Sequence, residues 1–249
     1  MAWRVHADPS MLVGGLRALL IQATNPLAMA GVDQHSDYLV DPWGRLRRTT
    51  EFVMTATFGT QDEAEGLGAV VRRVHETVRG IDPCTGQPYS ASDPELLAWV
   101  HNVLVHSFLA AYRRYGGSLS PSEMDGYVAE MVGMAALVGL APGDVPHDMG
   151  GLRAYVRDAG PLQVTPAARR GVKTILAPPM PLALRPVWAV PAIAAVSLLP
   201  SRVRSLYGFV WFPPAEPGVR LTTAALVRSL RLVLPDPPPI RSARARLAA

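Results

Sequence analysis

Apolar residues along this chain recur at intervals of three and four, the period of an amphipathic helix, and no stretch keeps the strict alternation of a half-buried strand. Asp8-Pro9 predicts a helix start, with Leu12, Leu16, Leu19 and Leu20 on the helix and an end near Asn25-Pro26. Asp41-Pro42 predicts another, through "GRLRRTTEFVMTATFG" to Gly59. Thr60 and Glu63 form a T-x-x-E capping box for a helix that closes at Gly80, followed by a turn-rich loop, "IDPCTGQPYS". Ser92 and Glu95 predict a second box, ahead of a long helix that runs to Gly116-Gly117. Ser120, Pro121 and Glu123 open the next helix, and Asp148 opens one that reaches Asp158. Beyond Pro161 prolines are dense, and helices are expected near 165–176, 187–199 and 221–233. The polar stretch "GVDQHSDY" (31–38) reads as a loop. No internal repeat and no hinge between two cores is visible. The expectation is an all-α fold: one multi-helix domain over 1–249, with a core in 8–160 and a proline-rich helical portion, 161–249, wrapping it.

Composition narrows the function classes. Of 249 residues, 49% are hydrophobic and 18% charged, which excludes a disordered chain. The net charge is +4, and Lys173 is the only lysine among the cations. No basic block is interleaved with aromatics, so nucleic-acid binding has no support. Cys84 stands alone, which excludes an intrachain disulfide and any CxxC motif. The start "MAWRVHADPS" lacks the pattern of a secretion signal, so a cytosolic protein is expected. The most apolar run, "LRPVWAVPAIAAVSLLP" (184–200), is broken by Pro186 and Pro191 and is short for a bilayer span. A core or monotopic helix is expected there, and no stable membrane span.

Several residues are candidates for chemistry. On the helix that holds "RRVHETVRG", one side carries Ala64, Gly68, Val71, His75 and Val78. Small side chains beside an imidazole leave a trough into which a flat group could come, with His75 as its axial iron ligand. A core histidine bonded to a backbone carbonyl is the other reading. His101 and His106 share the long helix but lie roughly 140° apart on it. His101 falls with Leu97, Leu104, Phe108 and Tyr112, the better core face. Arg45 and Arg48 are three apart, hence on one helix face, with Thr49 next to them; the alternative is an exposed basic face. Asp33, His35 and Asp37 have no recognised metal spacing. His147-Asp148 matches the core of helical metal phosphohydrolases, while Asp148 also serves naturally as a helix N-cap. No GxSxG, GxGxxG or P-loop occurs.

Taken in order, "NPLAMAGVDQHS", "DPWGRLRRTTEFVMTATFG", "VVRRVHETVRG", "YSASDPELLAWVHNVLV" and "YGGSLSPSEMDGYVAEM" resemble the DUF2236 domain, the family of the rubber oxygenases and the MpaB-type oxygenases. The resemblance spans roughly residues 8 to 235 and is strongest between 25 and 130. It implies helices around a pocket for haem b (iron protoporphyrin IX), with His75 as the proximal iron ligand. It implies Arg45, Arg48 and Thr49 at the distal side, where rubber oxygenases carry an R-x-x-K-T pattern. Arginine at position 48 keeps the charge of that lysine but not its readiness to lose a proton. Arg48 and Thr49 are then the expected catalytic pair, orienting dioxygen. Arg45, Arg72 and Arg79 are expected at the haem propionates, Gly68 and Val71 along the porphyrin, and His101 at a recurrent family position. Rubber oxygenases are thought to use a glutamate upstream of the arginine as a base, and here no glutamate precedes Glu51; Asp33 and Asp37 are the nearest acids. The expected activity is therefore a haem-dependent oxygenase using dioxygen on a small, diffusible, apolar substrate. A non-catalytic haem carrier or sensor is the alternative. Whether oxygen is inserted or a carbon–carbon bond is cleaved stays open at this point, as does the oligomeric state.

Overall fold

The computed structural model describes residues 1–248 and shows where many of the chain's 24 prolines go. Proline stands in the first turn of α3 (Pro26–His35), α4 (Pro42–Phe58), α6 (Pro94–Ala111), α7 (Pro121–Leu137), α9 (Pro166–Leu176), α10 (Arg185–Ser197) and α12 (Glu216–Val233). Its fixed φ suits that position, and the N–H it lacks has no intrahelical partner there anyway. Side chains cap the same starts: Asn25, Asp41, Asp93, Ser120 and Thr165 each accept a backbone N–H of the first turn. The fold is all-α. Among the described residues the remaining helices are α1 (Ala2–His6), α2 (Met11–Gln22), α5 (Gln61–Thr77), α8 (Met149–Arg157), α11 (Ser201–Tyr207) and α13 (Pro238–Ala248), with one two-stranded sheet.

The two capping boxes predicted ahead of α5 and α6 have different outcomes. Thr60 with Glu63 closes as expected, with reciprocal bonds at the start of α5. The box expected of Ser92 does not form: Asp93, directly before Pro94, is the cap and accepts from Glu95 N at 2.8 Å. The stretch 31–38 is not a loop throughout, because Asn25 caps Leu27 and Ala28 and carries the helix on to His35. The turn-rich stretch after α5 is a hairpin. The helix stops at Thr77, and β1 (Arg79–Ile81) pairs antiparallel with β2 (Pro88–Ser90), Gly80 opposite Tyr89. Buried Asp82 holds the turn by accepting from Thr85 N at 2.9 Å and Thr85 Oγ1 at 2.6 Å.

Helix α6 is the axis of the molecule. It buries Ala98, Trp99, His101, Asn102, Val103, Val105, Ser107, Phe108, Leu109 and Ala111, which leaves almost no polar stripe and marks an interior helix. One side meets α2 closely: a Cβ on Gly14 would lie 2.9 Å from Phe108 Cδ1 and 3.2 Å from the Ser107 carbonyl oxygen. The cluster on that side also holds Val172, Ala194, Ala195, Leu199, Val203 and Val227, so residues from beyond position 160 share the core with α2 and α6. The other side packs Val105 and Leu109 against Tyr127, Met131 and Leu152 of α7 and α8.

Two polar knots tie these layers. Buried Arg17 of α2 donates from Nε to the Leu198 carbonyl at 2.8 Å and from Nη1 to Ser107 Oγ at 2.6 Å and His106 Nδ1 at 3.2 Å. Burial lowers its pKa to about 9. Burial likewise lowers His106 to about 3, helped by the charges of Arg17 and Arg153. On the far side, buried His6 joins α1 to α4 and α7 through Thr57 Oγ1 at 2.7 Å and the Tyr127 hydroxyl at 2.9 Å. Burial, then the nearby N-terminal ammonium, lowers that imidazole to about 3.

Candidate functional site

Helices α4 and α5 are joined only by Gly59 and Thr60, so they run back along one another. From that corner, Arg45 lies thirteen residues up α4 from Phe58, and His75 fourteen up α5 from Gln61. At about 1.5 Å per residue the two side chains come level at the open end of the pair. Around that end stand α3 and the hairpin. Gly31 of α3 packs near Tyr89 and Val78, and the Tyr89 hydroxyl donates to Gln34 Oε1 at 2.8 Å while meeting His35 Nε2 at 3.2 Å.

His75 occupies the last turn of α5 and is half-buried. Its Nδ1 is buried with no hydrogen-bond partner, and among the described residues it is the only histidine in that state. A buried polar atom left unpaired costs about 1–3 kcal/mol, so such an atom calls for a partner. Burial lowers the pKa of the ring, and the charge of Arg45 lowers it further. The neutral imidazole, with a free lone pair, is thereby favoured, and this is the form that binds metals. Arg45 is half-buried, and burial followed by the charge of Arg48 lowers its pKa. Its Nη1 donates to Thr49 Oγ1, and the Thr49 hydroxyl donates back to the Arg45 carbonyl at 3.0 Å. The single proton of Thr49 is therefore committed one turn down its own helix, and its lone pairs hold the guanidinium in place.

Other expected members of the site sit elsewhere. Arg48 does not share the inward face with Arg45. Its side chain is exposed and lies 3.8 Å from Asp41, the N-cap of the same helix. Three positions leave an offset of about 60°, enough to carry Arg48 over the rim toward the cap carboxylate. Gly68 does not leave open space, because a Cβ there would lie 2.7 Å from the Leu137 carbonyl oxygen. Arg72, one turn on, donates to that same oxygen at 2.6 Å, and Val71 between them is half-buried. Leu137 is the last residue of α7, whose end carbonyls lack partners along the helix. The glycine and the arginine thus serve the α5–α7 packing. Arg79 is exposed on β1 and reaches back to the Glu76 carbonyl at 3.1 Å. His101 is buried at 8% exposure on α6, and burial lowers its pKa to about 4.

The acids near α3 are also placed. Asp33 accepts from the Tyr38 hydroxyl at 2.7 Å and from Arg170 Nη2 at 2.7 Å, so both carboxylate oxygens are engaged. Asp37 belongs to the turn before α4, where its carbonyl accepts from Val40 N and Asp41 N. Asp148 caps α8 through Gly151 N at 2.7 Å, and His147 lies against the Pro142 carbonyl at 2.8 Å. Among the described residues no three His, Cys, Asp or Glu side chains converge, so the phosphohydrolase pattern at 147–148 has no ligand set. Sequence reasoning missed the group formed by Gln34, His35 and Tyr89. It joins a helix to a hairpin more than fifty positions away, and no periodicity along the chain announces such a meeting.

Comparison with known families places these observations. The family described as ER-bound oxygenase mpaB/B'/Rubber oxygenase, catalytic domain, matches residues 3–232. No curated protein and no solved structure matches the chain. The match takes in α4, α5 and α6 and every candidate residue named above, and the chain belongs to the mpaB/rubber oxygenase catalytic-domain family.

Proposed function

We propose that this protein is a haem b-dependent oxygenase acting with dioxygen on a small apolar substrate, with His75 as the proximal ligand of the iron. The observation that carries the proposal is the buried, unpartnered Nδ1 of His75 in an imidazole held neutral by burial and by Arg45. A neutral ring with an unpartnered nitrogen fits an axial iron ligand. When bound, haem would supply the redox chemistry, and the protein would supply binding, orientation and electrostatics.

The chain's own residues then divide the work. His75 offers the lone pair. Arg45 keeps a half-buried cation beside it, matched to the negative charge of a propionate, and Thr49 positions that cation from one turn away. Arg48 stands exposed at Asp41 and takes no contact with reacting atoms in this proposal. Asp33 is tied to Tyr38 and Arg170, which removes the best-placed substitute for an upstream glutamate base. That favours a reaction which does not need such a base, and so a substrate other than polyisoprene.

The test is dioxygen uptake by the haem-loaded protein in the presence of a panel of small apolar organic compounds. Uptake coupled to substrate loss is expected. A six-coordinate haem inert to dioxygen with every compound would overturn the enzyme and leave a carrier or sensor.

A further inference from the structure

The apolar run noticed in the sequence is only partly used by the core. Its start is exposed, and that exposure continues back to Pro181. Pro181, Leu182, Ala183, Leu184, Arg185, Pro186 and Val187 are all exposed in succession, and six of these seven are apolar. Leu182 is 73% exposed, Leu184 54% and Val187 56%. Leu184 and Val187 line an open groove of about 370 Å³ whose walls include Leu12, Trp43, Pro179 and Leu226. Trp43 and Trp188 meet there edge to face, with centroids 5.1 Å apart. Both indole N–H groups are already satisfied, by the Pro179 carbonyl at 2.8 Å and the Ile175 carbonyl at 3.3 Å. Their outward surface is therefore left apolar, and Trp43 is 40% exposed.

Charge says what would cover this face. Between residues 159 and 235 the chain carries Arg169, Arg170, Lys173, Arg185, Arg202, Arg204, Arg220, Arg228 and Arg231 but a single acid, Glu216. Glu216 is paired with Arg114. Arg185 lies within the exposed run itself, and Arg47 is exposed one turn from Trp43 on α4. The helical segment Leu182–Ser197 and α11 are apolar enough together for a membrane, but they meet at 118°, so they do not form a straight span. We propose that the face formed by residues 181–188 with Trp43 docks on an anionic phospholipid surface. The leucines, Val187 and the tryptophan rings enter the interfacial zone, and Arg185 and Arg47 lie at the headgroups.

Flotation of the full chain with vesicles tests this. Strong binding is expected to phosphatidylcholine vesicles containing phosphatidylserine, weak binding to phosphatidylcholine alone, and weakening in raised salt. Leu184→Asp and Val187→Asp should each cut binding about ten-fold or more, because a charge must then enter the apolar zone. Arg185→Glu should cost roughly five-fold for each unit of charge altered. These side chains are exposed, so circular dichroism should be unchanged, and Arg185→Glu keeps the test open if an aspartate variant expresses poorly. No flotation with the mixed vesicles, or flotation unaffected by all three variants, overturns the proposal. A dimer in light scattering that Leu184→Asp dissociates, without vesicle binding by the wild type, overturns it in favour of self-association.

Discussion

Gly66 and Gly68 lie two positions apart on α5, both inside the helix, yet the structure gives them opposite roles. A Cβ on Gly66 would meet nothing within 4 Å. A Cβ on Gly68 would lie 2.7 Å from the Leu137 carbonyl oxygen and 3.2 Å from Leu137 Cβ. Replacing a helical glycine by alanine gains about 1 kcal/mol of helix propensity at either position. At Gly68 that gain is opposed by overpacking, about 1–3 kcal/mol, because the obstacle is backbone at the end of α7 and cannot swing aside. Pushing α7 away also stretches the Arg72 bond to the same oxygen, worth about 1 kcal/mol. Gly66→Ala should therefore stabilise by up to about 1 kcal/mol, and Gly68→Ala should destabilise by about 1–3 kcal/mol. In a domain of this size that is about 2–4 °C in Tm per kcal/mol, in opposite directions. Urea unfolding and differential scanning calorimetry read both variants. If Gly68→Ala gained as much stability as Gly66→Ala, Gly68 would face open space and the α5–α7 contact would be wrong.

The buried histidines set an acid limit. His6, His101 and His106 have folded pKa values lowered to about 3, 4 and 3, below the ordinary value of 6.5. Below about pH 6.5 the unfolded chain binds protons that the folded chain refuses, so stability is full above that pH and falls as pH drops toward the folded values, by about 1.4 kcal/mol per pH unit per histidine. His6→Gln should remove about one proton's worth of that slope in denaturation followed from pH 7 to pH 4; an unchanged slope would show that His6 is not buried neutral. At the start of α6, Asp93→Ala should cost about 1 kcal/mol in urea unfolding and Ser92→Ala almost nothing, and the reverse order would restore the serine cap.

How far the sequence could be read is visible in particular residues. Thr60, Ser120 and Asp148 announce their helices because capping is local chemistry: a side chain meets an N–H two or three positions away. Ser92 misled because two cap-forming residues stand side by side, and the one touching Pro94 prevails. The hairpin at 79–90 stayed hidden because its strands are three residues each, too short for alternation to register. At the candidate site, the order of motifs exposed the family, and the level pairing of Arg45 with His75 follows from two helices of equal length joined by a tight corner. The uses of Gly68, Arg72 and Arg48 were not legible. Whether a small residue makes room for a cofactor or for another helix, and whether an arginine faces in or over a rim, depends on what α7 and the Asp41 cap bring from outside the helix.

The central claim rests on one imidazole. Wild-type protein and His75→Ala, each titrated with haem and recorded from the near ultraviolet through the visible as oxidised and dithionite-reduced forms, test it most directly. His75 is half-buried at a helix end, so circular dichroism should show the variant folded. The account predicts a sharp Soret band, with a ligand-dependent shift on reduction, in the wild type and its loss in the variant. An unshifted, full-strength Soret band in His75→Ala would contradict it.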